Sequence, residues 1–230
     1  MTAFQTLNAH RHRYLKLNQR CGYRFAKGFN SADLLFGEFE RAALHYPIVF
    51  QSDSVGSVCR PVVLLKSTEQ GNEFVSEDGV WRVPYVPMVL RVHPFSLGVS
   101  KENNQPVVFL NLESELVNTD QGMPLFDFYG NQTPLLQQAI SQLNELYQRQ
   151  QLTEQLCRAL VTLKLLKPIS HPVSPEFISY GEYYQIDQLA IERLNDAAIC
   201  LFRRQGWLAS LYAHFVSLVH LNLPNYQEVA

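Results

Sequence analysis

The sequence predicts an α+β protein: a small antiparallel or mixed β-sheet region followed by a helical layer packed on it. Two observations carry this. Up to about residue 131, proline, glycine, β-branched and aromatic residues cluster in short runs, whereas leucine-periodic segments dominate beyond it. Most connections in the first part are short, which favours antiparallel or mixed pairing over βαβ crossovers. With 230 residues the chain is long enough for a full core. It reads as a single domain, 1–230, with a subdivision into a β-rich part (1–131) and a helical part (132–230).

Each element has a local reason. Asn30 or Ser31 caps a helix from Ala32 to about His45, in which Leu34, Leu35, Phe39, Ala42, Ala43 and Tyr46 form an apolar face. Pro47 turns the chain out of it. Ile48-Val49-Phe50 and Pro61 to Leu65 read as buried strands, the second with proline at its start. Glu73–Val75 and Val80–Val83 flank Asp78-Gly79, a hairpin signal because glycine supplies positive φ. Pro87 starts a short helix, Met88 to Val92. Phe95–Val99, Val107–Leu110 and Leu125–Phe128 are further strand candidates.

In the second part Thr133 caps a helix with Pro134 at its first position. Leu136, Ala139, Ile140, Leu143, Leu146 and Tyr147 form a stripe that resumes with Leu156, Ala159, Leu160 and Leu163. The helix is read either as continuous to about 164 or as kinked near Gln148–Gln151. Ile178–Ile186 reads as a strand. Asp187 and Asn195 cap two helices, and Gly206 breaks before a third.

Charge and composition exclude several classes. The 21 acidic and 19 basic side chains leave a net charge of -2, without the basic excess of a nucleic-acid binder. Aromatics at 12% argue against a disordered chain. No uninterrupted apolar stretch of signal-peptide type opens the sequence, and no window is long enough for a membrane-spanning helix. These features predict a cytoplasmic protein with no integral membrane span. Cys21, Cys59, Cys157 and Cys200 are far apart and read as free buried thiols in a reducing compartment.

Motifs for known chemistries are absent. H-E-x-x-H does not occur, and none of the seven histidines is followed two residues later by Asp or Glu. His10 and His12 sit beside Arg11 and Arg13, whose charge disfavours a cation. No G-x-x-x-x-G-K-[ST], G-x-G-x-x-G or G-x-S-x-G occurs. No metal and no cofactor is therefore expected. Gly56-Ser57 and Ser100-Lys101 lack catalytic spacing, while Glu38, Glu40, Asp127 and Glu182 are available carboxylates. Asn131-Gln132-Thr133 fits a glycosylation sequon but reads better as a helix cap.

The distinctive blocks are Tyr23-Arg24-Phe25-Ala26, Glu38-Phe39, Tyr46-Pro47-Ile48-Val49-Phe50, Gly79-Val80-Trp81, Tyr85-Val86-Pro87, Arg91-Val92-His93-Pro94-Phe95, and Leu125-Phe126-Asp127 with Gly130. As a set, in this order, they resemble the bacterial SapC family across nearly the whole chain. The sequence departs from that family at His93, where an aromatic is usual, and near Lys66, where glycine is commoner. The resemblance implies association with surface layers or with peptide transport. It also implies a neighbourhood of outer-membrane receptors, halogenase-like and cupin-like proteins, but no reaction.

Within these blocks Arg91 either complements the dipole of its short helix or binds a carboxylate or phosphate bidentately. Trp81, Tyr85, His93 and Phe95 could line an aromatic wall around it. In the alternative, Tyr46, Trp81, Tyr85 and Phe95 are core aromatics with satisfied polar tips. Three functions stay open. The favoured one is a non-catalytic binding or accessory protein with a protein or peptide partner, with Arg91, Tyr46, Trp81 and Tyr85 as ligand-binding candidates. The second is an enzyme acting on a peptide or small acidic molecule, in which Arg91 anchors the anion and His93, Glu38 or Asp127 serves as acid or base. The third is a homo-oligomer assembled through the Gln-rich helix.

Overall fold

The computed structural model describes residues 4–52, 59–65, 71–99, 106–169 and 183–221. Gly56-Ser57, Lys66, Ser100-Lys101, Ile178 to Tyr180 and Glu182 lie outside them. In the first half of the chain the elements are β1 (Phe4–Thr6), α1 (Ala9–His12), β2 (Lys16–Leu17), β3 (Ser31–Asp33), α2 (Phe39–Ala42), β4 (Ile48–Ser52), β5 (Cys59–Leu64), α3 (Met88–Arg91), β6 (Phe95–Val99) and β7 (Pro106–Asn111). There follow β8 (Val117–Asn118), β9 (Met123–Pro124), α4 (Pro134–Thr162), β10 (Leu166–Pro168), β11 (Tyr183–Ile186), α5 (Gln188–Glu192), α6 (Asp196–Arg204) and α7 (Trp207–Ser217). Antiparallel sheets with helices make this the α+β architecture that the sequence predicts. Among the described residues no helix is long and apolar enough to cross a membrane.

The chain forms two compact units from interleaved segments. One comprises Met1–Lys27, Val75–Arg82 and Val89–Gln148; the other comprises Gly28–Phe74, Val83–Met88 and Arg149–Ala230.

The first unit holds two three-stranded antiparallel sheets, ordered β1-β7-β6 and β8-β2-β9. The β6–β7 pairing runs from Phe95 opposite Leu110 to Val99 opposite Pro106. Its core gathers Leu17, Val92, Phe95, Leu110, Leu116, Leu125, Phe126, Leu136 and Leu143. The last two come from α4, where helical spacing sets them on one face. Thr133 starts that helix: its Oγ1 accepts the Leu136 N–H and its carbonyl the Gln137 N–H, with Pro134 as first residue.

The second unit is built on a five-stranded antiparallel sheet, ordered β10-β11-β4-β5-β3. Ile48, Val49 and Phe50 of the central strand are fully buried, as an apolar run covered on both faces must be. Helix α7 packs on this sheet and ties to it through polar groups. His214 Nε2 accepts the Ile186 N–H at 3.0 Å, and Ser217 Oγ accepts the Ile48 N–H at 3.1 Å. Beyond the helix, His220 Nε2 donates to the Ala43 carbonyl at 3.0 Å. Both histidines thus serve helix packing.

Several elements differ from the sequence expectation. The helix expected over Ala32–His45 is replaced by β3 and the single turn α2. Ser31, Ala32 and Asp33 pair with Leu64, Val63 and Val62, and Gly37 adopts φ 84, which ends any helical run there. The sheet partner outweighs the local periodicity. The hairpin at Asp78-Gly79 is present only as a tight turn with one bridge, Val75 to Trp81. Leu125–Phe128 is not a strand, because Asp127 folds the following residues into a turn and leaves a single bridge, Phe126 to Gln132. Of the four thiols only Cys59 and Cys157 are buried; Cys21 is partly covered and Cys200 is exposed.

Candidate functional site

The sequence-predicted residues fall into three groups. Arg91 and His93 line one cavity in the first unit, of about 330 Å³, together with Tyr23, Gln19, Gln138 and Gln142. Leucines and Phe95 complete its apolar lining. At this volume the cavity lies at the small end of ligand pockets.

Each polar residue arrives there for a local reason. Asn18 caps the turn Gln19–Cys21 by accepting the Arg20 N–H. Gly22, at φ 59, then reverses the chain, and the Tyr23 N–H donates to the Gly79 carbonyl at 2.8 Å. A side chain at Gly22 would stand 2.4 Å from that carbonyl, so only glycine fits. Trp81 is nearly buried and meets Tyr23 edge-on, with ring centroids 5.4 Å apart. It backs the cavity wall without lining it. Burial raises the Tyr23 pKa, and the nearby Arg91 charge opposes that shift.

His93 follows the last turn of α3. Its ring stacks on Phe25 at 3.7 Å between centroids and 16° between planes. Its Nε2 lies 2.9 Å from Ser114 Oγ. Burial pushes its pKa down to about 4, so the ring is neutral at physiological pH. Ser114 is held in the tight turn after β7, with its N–H on the Asn111 carbonyl and its Oγ accepting the Leu116 N–H at 3.3 Å.

The second group is a polar cluster inside the second unit. Glu38 is 2% exposed, and its carboxylate accepts three hydrogen bonds: from Leu35 N–H at 2.9 Å, Met88 N–H at 2.8 Å and Tyr85 O–H at 2.5 Å. The Tyr46 hydroxyl, on a fully buried side chain, donates to the Tyr85 carbonyl. Glu38, Tyr46 and Tyr85 therefore hold one another and the 35–38 and 85–88 segments. None of them is among the residues lining the cavity.

Asp127, in the first unit, is not among the residues lining the cavity either. Its Oδ1 accepts the N–H groups of Tyr129 and Asn131 at 2.8 Å each, and its Oδ2 accepts Asn131 Nδ2 at 3.0 Å. These bonds, that to the Asn131 side chain foremost, hold its pKa below the usual carboxylate range. Its carboxylate is occupied in shaping a turn.

Sequence reasoning did not name Tyr23, Phe25, Ser114, Gln138 or Gln142 as site residues. Tyr23 and Phe25 carried a signal, since they stand in a family-like block. Ser114 and the glutamines carried none. Among the described residues no group of three or more His, Cys, Asp or Glu side chains could hold a metal ion.

Fold and cavity together define an α+β protein with a small pocket that combines one guanidinium, a stacked aromatic pair and several amides. The SapC family model matches residues 7–223, so the chain belongs to the SapC family. No curated protein and no solved structure matches it.

Proposed function

We propose that this SapC-family chain is a non-catalytic binding or accessory protein and that the Arg91 cavity holds its ligand, a small organic anion. The observation that carries the reading is the convergence of Arg91, Tyr23 and His93 on one concavity. A guanidinium matches a carboxylate in charge and in donor geometry. Amide groups from Gln19, Gln138 and Gln142 add hydrogen-bonding capacity, and the leucines and aromatic rings suit an apolar ligand body. The family's bacterial setting supports a role beside an envelope-linked or modification system, with a protein or peptide partner presenting or receiving the ligand.

The reading of a dispersed acid/base enzyme draws on the His93–Ser114 contact. It has less support. The carboxylates of Glu38 and Asp127 are engaged by their own neighbours, and a histidine with a pKa of about 4 is a poor base near pH 7. Calorimetric titration with a panel of small carboxylates tests the binding reading, with mass spectrometry of the recovered ligand. Saturable binding of an unchanged ligand, lost in Arg91→Ala, is the expected result. Turnover by the pure protein, or undiminished binding by Arg91→Ala, would sink it.

A further inference from the structure

We propose that the turn 127–130 and helix α1 form a docking surface for an anionic lipid bilayer, with the rings of Phe128 and Tyr129 entering the membrane interface and Arg11 and Arg13 meeting the headgroups. None of these residues lines the Arg91 cavity, so the surface is independent of the ligand reading above.

The Gly130 N–H donates to the Asp127 carbonyl at 3.1 Å, which places Phe128 and Tyr129 at the two central positions of a tight turn. Phe128 is 82% exposed and Tyr129 84%, against the usual burial of such rings. Apolar residues scattered singly over a surface are ordinary; two neighbouring rings held out together mark an interaction site. The turn is built to hold them there. Asp127 accepts the N–H groups of Tyr129 and Asn131 and the Asn131 side-chain amide, its own N–H donates to the Asn131 carbonyl, and Gly130 takes φ 87. The rings meet edge to face, with centroids 5.6 Å apart. Little ordering entropy is left to lose when they enter a partner.

Helix α1 sets charge beside the rings. Arg13 Cζ lies 5.5 Å from the centre of the Phe128 ring. The Leu125 N–H donates to the Leu15 carbonyl at 3.1 Å, which ties the segment after α1 to the segment before the turn. Arg11, Arg13, Lys16, Arg20, Arg24 and Lys27 all precede Asp33, the first acidic residue of the sequence. Lys27 is paired with Glu77, and the Asp127 carboxylate offsets one charge at the turn. Among the described residues no ion pair engages Arg11 or Arg13. Tyr14, also exposed, follows Arg13. A recess of about 340 Å³, lined by Ala9 of α1, Gly130 of the turn, Leu7, Val108, Phe126 and Ile140, continues the apolar surface between the two elements.

Rings and guanidiniums side by side match the layering of a bilayer surface. Aromatic side chains favour the headgroup level, and each basic residue near an anionic leaflet contributes about 1 kcal/mol. Apolar insertion and basic charge together supply the two signals that stable attachment needs. An acidic protein would meet the arginines equally well, but it would need a pocket for two rings whose planes stand at 84°. A fluid interface takes them as they are.

The test uses the full chain, sedimented with vesicles of phosphatidylcholine alone or mixed with phosphatidylglycerol. Binding to the mixed vesicles should be about fivefold stronger or more, and should weaken as salt rises. The double variant Phe128→Ser, Tyr129→Ser and the double variant Arg11→Gln, Arg13→Gln should each lose about fivefold or more of it. Phe128 and Tyr129 are exposed, so their removal should leave the melting temperature unchanged. Phe128→Trp reads the surface without deleting a ring. Trp81 and Trp207 are buried, so the emission added by this variant should shift to the blue on mixed vesicles alone. Equal binding to both kinds of vesicle, undiminished binding in either double variant, or an unshifted emission overturns the docking surface. Saturable binding of polyglutamate without vesicle binding overturns it in favour of an acidic protein partner.

Discussion

The buried carboxylate of Glu38 accepts the backbone N–H of Met88 at 2.8 Å. That bond fixes the start of α3 to the start of α2, two short helices that could not form in isolation. Glu38 also holds Leu35 N–H and the Tyr85 hydroxyl, so one side chain satisfies three donors. Glu38→Ala leaves these groups with no replacement and should cost about 3 kcal/mol. Chemical denaturation of the variant measures this. Glu38→Gln, which keeps an acceptor oxygen, should lose less.

A second buried tie runs through Thr153. Its hydroxyl accepts the Phe36 N–H at 2.8 Å and donates to the Arg149 carbonyl at 2.7 Å, while Arg149 Nη1 donates to the Phe36 carbonyl at 2.9 Å. Thr153→Val has the same shape but strands the Phe36 N–H, so a loss of about 1–3 kcal/mol is expected. Thr153→Ser should retain most of the stability. Urea midpoints of the two variants, measured side by side, separate hydroxyl from methyl.

His214 should make the protein acid-sensitive. Burial pushes its pKa down to about 3, against 6.5 for the free group. The unfolded chain therefore binds a proton that the folded one refuses between pH 6.5 and 3. Stability is fully present above pH 6.5 and falls as the pH drops through that window. The slope for one proton is about 1.4 kcal/mol per pH unit. Unfolding free energy from pH 4 to 6 should be less steep in His214→Gln by about that amount, even if the variant is weaker at every pH.

The Gly22–Gly79 contact should couple stability to binding. A side chain at Gly79 would stand 2.6 Å from the Cys21 carbonyl, and φ there is 82. Gly79→Ala should destabilise by more than about 1 kcal/mol. Because the Tyr23 N–H hangs on the Gly79 carbonyl, ligand affinity at the Arg91 cavity should weaken too. Thermal melts and calorimetry on the same sample check both effects.

Thiol chemistry offers a simple probe of packing. Cys200 is exposed, whereas Cys59 and Cys157 are buried, with Cys59 Sγ donating to the Cys157 carbonyl at 3.8 Å. The Cys157 thiol pKa is pushed up by its contact with Cys59 and by burial. A thiol-specific disulfide reagent should therefore label Cys200 first and reach Cys59 and Cys157 only on unfolding. Mass mapping of the labelled peptides reads out the order.

Much of the fold was legible where a cap or a long period speaks locally. Thr133-Pro134, Asp187 and Asn195 each start the helix that their chemistry predicts. Phe95–Val99 and Ile48–Phe50 are strands because apolar runs of that length suit a sheet. Ser31–Asp33 was not legible, since its strand state comes from residues 62–64 and its own composition suits a helix. The three-residue β1 was invisible for the same reason: only its partner β7 makes it a strand.

The site was legible in part. Arg91 and His93 announced themselves by standing within a distinctive block. Glu38 and Asp127 were legible as carboxylates, but their hydrogen-bonded roles depend on backbone groups that no spacing rule reveals. Ser114 reaches His93 only through the β6–β7 pairing and the turn after it, so a sequence scan has no means of coupling them.

The five-stranded sheet also constrains how the protein can be made. Phe50 and Gln51 wait for Tyr184 and Tyr183 on one side, although β5 covers the other soon after synthesis. At ribosomal rates of about 5–20 residues per second, that side stays open for on the order of ten seconds. During that interval the nascent chain presents Ile48-Val49-Phe50 with an unpaired strand edge, a template for pairing with a neighbouring chain. A chaperone that masks short apolar segments should therefore engage this chain while it is still on the ribosome, and release it once the last strand has arrived.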